Sequence, residues 1–385
     1  MPTLVSKHHS SLPKRGESGL LLTTIATAPC KHPEPLDGPL VLYGGGSLGK
    51  LASDYLQAIG RPLVMVLDQN PPAWAGVTVM KPTAVHKAAK ELNYVAVSVV
   101  NEPYVPIQDS LAKMGFKHIS PFYDVAESLR SHKHPLSNGW YAPILLGQAS
   151  LLTTNVLDLW SDDVSRAHHL QFIAWRRVRE EWTFDDAPVT PSNRYFIPEV
   201  VKGLHHSETF VDVGAYHGLV LADFIDIVDN KFKEILAFEP DDINRPFIEY
   251  NTDKDRRIGV LDCALARWDG IGLFHEGLGY SSQLSSTGSK SVSVRSIDSL
   301  KIKPTFLKVH VEGAELDVLK GAKRTLIHHR PIVAATVYHN NDGIWRTPYW
   351  LMETLIDYKF YFRLHSWCGT GAVVYAVPNE RSNYG

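Results

Sequence analysis

The stretch Glu208-Thr-Phe-Val-Asp-Val-Gly-Ala-Tyr-His-Gly218 is the part of the sequence that decides the fold. It begins as an apolar run typical of a buried β-strand and continues into a glycine-containing turn. Gly214 has no Cβ atom and lets the backbone pass close to a ligand, and Gly218 opens the helix that follows. A strand, a glycine turn and a helix in this order predict the first unit of a parallel α/β sheet.

Acidic residues stand at the ends of the first two predicted strands of this unit. Asp212 begins the pattern Asp-x-Gly-x-x-x-Gly, whose spacing differs from the Gly-x-Gly-x-x-Gly of dinucleotide-binding proteins. Its carboxylate can accept a hydrogen bond from an ammonium or hydroxyl group, which suits the amino-acid half of S-adenosylmethionine better than a pyrophosphate. The next strand, Glu234-Ile-Leu-Ala-Phe-Glu-Pro240, ends in Glu239, 21 residues after Gly218. A carboxylate there can bind both ribose hydroxyls.

A third predicted strand, 258–261, leads into Asp262 and Cys263. An acid at this strand end can accept a hydrogen bond from an adenine amino group, although a surface acid after a strand is also common. The three strand ends correspond, in chain order, to the amino acid, the ribose and the adenine of S-adenosylmethionine. The residues predicted to bind this cofactor are Asp212, Gly214, Ala215, His217, Gly218, Glu239, Pro240, Asp262 and Cys263.

A later strand, Thr305-Phe-Leu-Lys-Val-His-Val-Glu-Gly-Ala-Glu315, carries His310 and Glu312 into another glycine turn. Ligands of open parallel sheets bind beyond the carboxyl ends of the strands, so these side chains are expected over the cofactor pocket. His339 follows the next predicted strand, 331–337. Because a neutral histidine is a suitable base, the predicted catalytic residues are His310, His339 and Glu312. The alternative for each is a packed or surface side chain.

An earlier stretch, Pro39-Leu-Val-Leu-Tyr-Gly-Gly-Gly-Ser-Leu-Gly49, combines an apolar strand with the pattern Gly-x-Gly-x-x-Gly. The glycines of this pattern are Gly44, Gly46 and Gly49, and Asp68 follows the next predicted strand, 19 residues after the last of them. This context is typical of a Rossmann-like unit. One interpretation places a second nucleotide at the helix N-terminus. In the other, the glycines only permit a tight turn and close helix packing, and Asp68 starts a loop.

The composition excludes several classes of protein. The chain has 385 residues, with 39 Lys and Arg against 41 Asp and Glu, and its formal net charge of −2 is not that of a non-specific nucleic-acid binder. Cys30, Cys263 and Cys368 form no C-x-x-C pair, so we expect no disulfide framework and a reducing cytoplasm. No apolar run approaches the roughly 18–20 residues that span a bilayer. We therefore expect neither a membrane nor a nucleic acid as partner.

The C-terminal half resembles the FkbM-type methyltransferases from about residue 195 to residue 378. The motifs that carry the resemblance are Val211-Asp-Val-Gly-Ala-Tyr-His-Gly218, Ala237-Phe-Glu-Pro240, Ala264-Leu265, Ser281-Ser282, Lys308-Val-His-Val-Glu-Gly-Ala-Glu315, Leu319-Lys-Gly-Ala322 and Arg330-Pro331. The resemblance implies a class I fold that uses S-adenosylmethionine, often to O-methylate sugars or secondary metabolites. It also implies that Asp212, Gly214, Gly218 and Glu239 hold the cofactor. One difference is His310, which stands where the family usually has an acid.

These patterns predict an α/β protein in four parts. We expect a flexible arm at 1–37, a Rossmann-like nucleotide-binding-type domain at 38–122, a helical connector or lid at 123–193 and a methyltransferase domain at 194–385. The last domain should contain the seven-stranded sheet of class I methyltransferases, mostly parallel and closed by a C-terminal antiparallel hairpin.

The predicted function is O-methylation of a small polar acceptor, such as a sugar, a sugar nucleotide or a secondary metabolite, with S-adenosylmethionine as cofactor. Two alternatives remain open: a non-catalytic nucleotide- or sugar-nucleotide-binding protein on a methyltransferase fold, and an NAD-dependent oxidoreductase that uses the N-terminal domain. A metal held by His310, Glu312 and Asp342 would have no recognised ligand spacing, so we predict no metal site. Homo-oligomer formation is also left open.

Overall fold

The computed structural model describes residues 3–33, 36, 38–129, 139–142, 145, 147–252 and 255–382. Within these ranges the chain forms a smaller N-terminal sheet, a central helical part and a larger C-terminal sheet, each sheet flanked by helices. This architecture confirms the predicted α/β class.

The smaller sheet is parallel throughout and has the strand order β4-β3-β2-β5-β6 in the described residues. The elements up to its end are β1 (Val5–His9), α1 (Ser18–Thr27), β2 (Leu40–Tyr43), α2 (Ser47–Ala58), β3 (Met65–Leu67), β4 (Val79–Met80), α3 (Lys87–Leu92), β5 (Tyr94–Val97), α4 (Tyr104–Lys113), β6 (His118–Pro121) and α5 (Phe122–Ser128). Its central strands are apolar on both faces because helices cover both, with Val41 and Leu42 of β2 fully buried. Numbered from β2, this order is 3-2-1-4-5, that of the first five strands of a Rossmann sheet.

The glycine turn after β2 is shaped by packing. Gly44 has a φ of 109°, in the region that favours glycine, and a Cβ atom on Gly49 would overlap the Gly44 carbonyl oxygen. The Asp68 carboxylate accepts hydrogen bonds from the backbone N–H of Gly45 (2.7 Å) and of Asn70 (2.8 Å). The turn therefore uses Asp68 and two of its glycines for its own geometry. A second nucleotide at this turn stays a prediction.

Replacing Gly49 by alanine should destabilise the protein by about 3 kcal/mol, because the new methyl group overlaps a backbone oxygen that cannot rotate away. The control is Gly46→Ala, since a Cβ there meets no atom within 4 Å and should cost no more than about 1 kcal/mol. Urea denaturation of both variants measures the difference. Equal stability of the two would contradict the packing role of Gly49.

The central part is built around one buried helix. Its elements are α6 (Gln148–Leu159), α7 (Asp163–Val178), β7 (Glu180–Phe184) and α8 (Pro198–Val201). The Asp162 side chain caps α7 by accepting from the Ser165 backbone N–H at 2.7 Å. Every residue from Ser165 to Val178 is buried. The segment is followed by β7, where the sequence predicted no strand.

The prediction of a flexible N-terminal arm is wrong for residues 5–27. Strand β1 pairs in parallel with β7, from Val5 opposite Glu180 to His9 opposite Phe184. Helix α1 buries Leu22 and Ile25 in the same core as α7. The strand partner lies some 175 residues away along the chain, and local patterns could not indicate it.

The larger sheet has the order β10-β9-β8-β15-β16-β18-β17 in the part of the chain that is described. The remaining elements are β8 (Thr209–Val213), α9 (Leu219–Ile227), β9 (Glu234–Phe238), α10 (Arg245–Asn251), β10 (Ile258–Leu261), β11 (Cys263–Leu265), β12 (Gly270–His275), β13 (Gln283–Leu284), β14 (Lys290–Arg295), α11 (Ile297–Leu300), β15 (Phe306–Val309), α12 (Glu315–Gly321), α13 (Lys323–His329), β16 (Ile332–Thr336), α14 (Arg346–Thr354), β17 (Tyr358–Leu364) and β18 (Ala372–Pro378). Only β18 runs antiparallel to its two neighbours, which confirms the predicted seven-stranded sheet and its closing hairpin.

A separate four-stranded sheet, with the order β11-β14-β12-β13, lies beside the larger sheet. Strand β14 (Lys290–Arg295) lies between β11 and β12 in this sheet. Beyond β15, the helices α12 and α13 meet at Ala322. These elements bring the 277–284 segment to the edge where β8, β9 and β15 end, which is the edge that carries the predicted site.

Candidate functional site

A cavity of about 380 Å³ lies at the carboxyl ends of β8, β9 and β15. Its apolar wall includes Phe238, Leu265, Phe274 and Leu284. The predicted site residues that line it are Gly214, Ala215, Glu239, Pro240, Cys263, His310 and Glu312. Asp212, His217, Gly218, Asp262 and His339 were also predicted for the site, but they lie outside this lining.

Asp212 is engaged inside the sheet. Its carboxylate and the Lys308 ammonium group are both buried and lie 2.7 Å apart. The same ammonium donates a hydrogen bond to the Gly214 carbonyl oxygen at 2.7 Å. Burial raises the pKa of Asp212, and the Lys308 charge opposes that rise. The sequence predicted that Asp212 accepts a hydrogen bond from an ammonium group of the cofactor. In the structure its ammonium partner is Lys308, which stands directly opposite Asp212 on the neighbouring strand. The pair fixes the Gly214 turn.

Glu239 is the predicted carboxylate that reaches the cavity. It is buried, and its two oxygens accept hydrogen bonds from the backbone N–H of Tyr216 (2.8 Å) and of Asp241 (3.0 Å). Burial raises the pKa of this carboxyl group, and the two backbone donors oppose the rise. Each carboxylate oxygen has a further lone pair for a ligand hydroxyl. The side chain is therefore held in place with acceptor capacity left over.

Three of the remaining predicted cofactor residues have other surroundings. His217 stacks on Tyr216, with ring centroids 3.7 Å apart, and on Phe247 at 4.3 Å. Gly218 has a φ of 77° and precedes the first residue of α9. Asp262 is exposed, and the buried Cys263 beside it faces the cavity instead. Asp262 lies between β10 and β11, and Cys263 is the first residue of β11.

His310 lines the cavity and is held on both ring nitrogens. Its Nδ1 lies 2.7 Å from the Tyr195 hydroxyl, and its Nε2 lies 3.0 Å from Glu312 Oε1 and 3.1 Å from the Tyr338 hydroxyl. Burial lowers the pKa of His310 to about 4, although Glu312 opposes the shift. The imidazole is therefore neutral near pH 7, the form that a general base requires, and its low pKa makes it a weak base.

His339 lies behind this pair and is buried. Its Nε2 is 3.2 Å from Glu312 Oε1, and its Nδ1 is 2.6 Å from Glu315 Oε1. Burial lowers the pKa of His339, but the Glu312 and Glu315 charges together outweigh this and raise the pKa well above its usual value. A protonated imidazole outside the lining cannot serve as the base. Of the two predicted histidines, the geometry favours His310.

Several lining residues were missed at the sequence level. Arg194, Tyr195 and Tyr280 come from loops far from the glycine turn in sequence, and no local pattern marked them. Tyr195, Tyr216 and Glu312 have φ values of 76°, 51° and 54°, respectively, which are unusual for residues with side chains and are frequent at functional sites. Lys308 did carry a signal, because a lysine inside an otherwise apolar strand needs a buried partner.

A second cavity of about 430 Å³ adjoins the first between the two α/β parts. One wall is the side of α2, including Ser47, Lys50 and Asp54, and the other is the 277–281 segment. Tyr216, Gly279 and Tyr280 line both cavities. The N-terminal part therefore borders the site through α2.

Residues 212–362 match the family model of the methyltransferase FkbM domain. This segment is an FkbM methyltransferase domain. The FkbM domain includes the Asp212–Lys308 pair, Glu239 and the His310–Glu312–His339 cluster. The resemblance predicted from the motifs is confirmed for this segment.

The FkbM domain and the parts before it share their fold with a known structure. The crystal structure of a methyltransferase FkbM from Methylobacillus flagellatus KT is similar with a TM-score of 0.60 and 18% sequence identity, over 94% of this chain and 99% of that one. At this identity the similarity shows the fold alone. It spans nearly the whole chain, including the smaller sheet.

Other solved structures match about half of the chain. A precorrin-6y C5,15-methyltransferase from Geobacter metallireducens GS-15 has 13% identity over 50% of this chain and 95% of that one, with a TM-score of 0.31. A fibrillarin/Nop5p complex has 14% identity over 51% and 88%, also with a TM-score of 0.31. We draw nothing from either of these two matches. No curated protein sequence matches this chain. Among the described helices, none is both long and apolar enough to cross a bilayer.

Proposed function

We propose that this protein is an S-adenosylmethionine-dependent methyltransferase that methylates a hydroxyl oxygen of a small polar acceptor, such as a sugar, a sugar nucleotide or a secondary metabolite. The observation that carries the proposal is the cavity formed by the FkbM domain together with residues 191–195. The buried Glu239 carboxylate faces this cavity from the end of β9. Clefts of about 300–1,000 Å³ with mostly apolar walls and few polar groups are typical ligand sites.

The donor groups of the cavity fit this cofactor. Glu239 has lone pairs for the two ribose hydroxyls. The backbone of Gly214 and Ala215 borders the same space, and Phe274 and Leu284 offer apolar surface for a base. Arg194 supplies a cation for a carboxylate. When bound, the cofactor supplies an activated methyl group.

The acceptor must be held in line and must lose its hydroxyl proton. Positioning alone supplies a large share of the rate of such reactions. We assign the loss of the proton to the end of the cavity formed by His310 and Glu312, since these are the predicted catalytic residues that line it. Tyr195 and Tyr338 orient the His310 ring.

The second cavity supports a polar acceptor that reaches the site from between the two α/β parts. It shares Tyr216, Gly279 and Tyr280 with the cofactor cavity, and α2 contributes Ser47, Lys50 and Asp54 to its wall. Tyrosine rings and a mixture of charged and hydroxyl groups suit a sugar or a sugar nucleotide. Part of the acceptor would therefore contact the N-terminal domain.

Calorimetric titration of S-adenosylhomocysteine into the full-length protein tests the proposal. We expect micromolar binding, weakened about 30-fold or more by Glu239→Ala, because each lost hydrogen bond to a charged group costs about 1.5–3 kcal/mol. Glu249→Ala is the matched control, since this glutamate is exposed and outside the lining. We expect its affinity to stay within about threefold.

Three outcomes separate the proposal from its alternatives. Failure of the folded wild type to bind S-adenosylhomocysteine would overturn the cofactor assignment. Binding without methyl transfer to any of a panel of sugars and sugar nucleotides would favour a non-catalytic binding protein. Binding of NAD but not of S-adenosylhomocysteine would favour the oxidoreductase alternative.

A further inference from the structure

We propose that His310, Glu312 and His339 bind a divalent first-row transition-metal cation at the inner end of the cavity. Glu312 Oε1 lies 3.0 Å from His310 Nε2 and 3.2 Å from His339 Nε2. The candidate ligand atoms of the three residues all lie within 4.8 Å of one another. Metal–ligand bonds of about 2.0–2.2 Å place neighbouring ligand atoms about 3 Å apart, so an ion fits between them with small shifts of the side chains.

The second nitrogen of each ring is already engaged, as is typical of metal-binding histidines. Such a histidine almost always offers its other ring nitrogen to a carboxylate or another polar group, which fixes the ring orientation. His339 Nδ1 lies 2.6 Å from Glu315 Oε1, and His310 Nδ1 lies 2.7 Å from the Tyr195 hydroxyl. Both Nε2 atoms are thereby directed to the same Glu312 oxygen. A cation bound there replaces the proton that His339 Nε2 shares with Glu312 in the cation-free cluster.

The supporting carboxylate of Glu315 is itself held rigidly. It accepts hydrogen bonds from the Thr336 hydroxyl at 2.9 Å and from the Gly313 backbone N–H at 3.0 Å. Glu312 is held in a left-handed conformation with a φ of 54°, which is strained for a residue with a side chain and persists only where the surroundings enforce it. The cluster is thus a prearranged set of donors.

The donor set selects the kind of ion. Two imidazole nitrogens and one carboxylate oxygen suit zinc, iron, cobalt or nickel, whereas magnesium and calcium prefer oxygen ligands. The Tyr338 hydroxyl, 3.1 Å from His310 Nε2, would be displaced or become a further ligand. The sequence predicted no metal site, because His310, Glu312 and Asp342 have no recognised ligand spacing. In the structure Asp342 pairs with Arg346 at 2.9 Å, and His339 is the third member of the cluster.

His310 and Glu312 line the cavity and His339 does not, so the open side of the ion would face the cavity. With its Nε2 on the cation and its Nδ1 on the Tyr195 hydroxyl, His310 is then a ligand and not the base. The cation takes over that role, because a metal-bound hydroxyl loses its proton far more readily than a free one. In this role the cation would favour an acceptor that binds through a hydroxyl oxygen. That part of the inference rests on the proposed function, but cation binding itself does not.

Titration of Zn²⁺ and Co²⁺ into untagged, metal-depleted full-length protein tests the site. We expect one equivalent of Zn²⁺ to bind in the calorimeter, and visible Co²⁺ absorption typical of nitrogen coordination. His310→Gln and Glu312→Gln should each weaken Zn²⁺ binding at least 10-fold. Substituting a group that only supports a metal ligand already costs about 10–100-fold in affinity, and these two residues are ligands themselves. His328→Gln, which changes an exposed histidine outside the cluster, should leave binding unchanged.

Lack of a stoichiometric Zn²⁺ site in the wild type would overturn the inference, as would binding that survives both cluster variants. Circular dichroism of the variants verifies that they are folded. If one of the two cluster variants misfolds, the other still tests the site. S-adenosylhomocysteine binding, measured on the same samples, reports on the proposed function separately. A chain that binds the cofactor but no cation leaves the first proposal intact and removes the second.

Discussion

Lys308→Met should lower the free energy of unfolding by about 3–5 kcal/mol, since it leaves the Asp212 carboxylate buried without its partner. The two groups lie 2.7 Å apart on the central strands β8 and β15, and both side chains are almost completely shielded from solvent. The Gly214 carbonyl oxygen loses a donor in the same variant. The cavity turn should therefore loosen together with the sheet.

Urea denaturation measures this loss, and two further variants make the result interpretable. Lys233→Met removes an exposed lysine beside Glu234, and a surface substitution of this kind should change stability by no more than about 0.5 kcal/mol. Asp212→Leu combined with Lys308→Met should recover much of the loss, because no isolated charge remains buried. If the double variant is as unstable as Lys308→Met alone, the loss of stability does not come from the unpaired Asp212 carboxylate.

Arg176→Met should cost a comparable amount, about 3–5 kcal/mol, because several buried carbonyl groups lose their donor at once. The fully buried guanidinium group donates to the carbonyl oxygens of Tyr338 (2.7 Å), Asn340 (2.9 Å) and Gly369 (3.2 Å), and also to that of Gly139. Helix α7 thereby holds the segment that carries His339. We expect amide hydrogen exchange to accelerate in residues 338–342.

Arg177→Met is the matched control for this experiment. Arg177 is the next residue of α7, but its guanidinium group donates to the carbonyl oxygens of Ile25, Ala26 and Ala28. Its loss should accelerate exchange in residues 18–28 and leave 338–342 protected. The same exchange pattern in both variants would contradict the assignment of separate segments to the two arginines.

Local sequence patterns were sufficient where neighbouring residues set the conformation. The strand and glycine turn from Glu208 to Gly218 lie where predicted, as do β9 and the C-terminal hairpin. Glu239 also reaches the predicted pocket, because a residue that directly follows a parallel strand has its position fixed by that strand. The resemblance to the FkbM family could also be predicted from the sequence, because each motif that carries it is a short contiguous stretch.

The sequence by itself determined the α/β class, the order of the methyltransferase elements and the carboxylate at Glu239. Only the tertiary structure decided that Asp212 pairs with Lys308, that β1 and α1 pack on the central helix, and that His339 joins His310 and Glu312. These contacts join residues far apart in sequence, and they depend on strand order and register. Periodicity predicts which residues form a strand, but the partner of a buried side chain is set by the strand beside it.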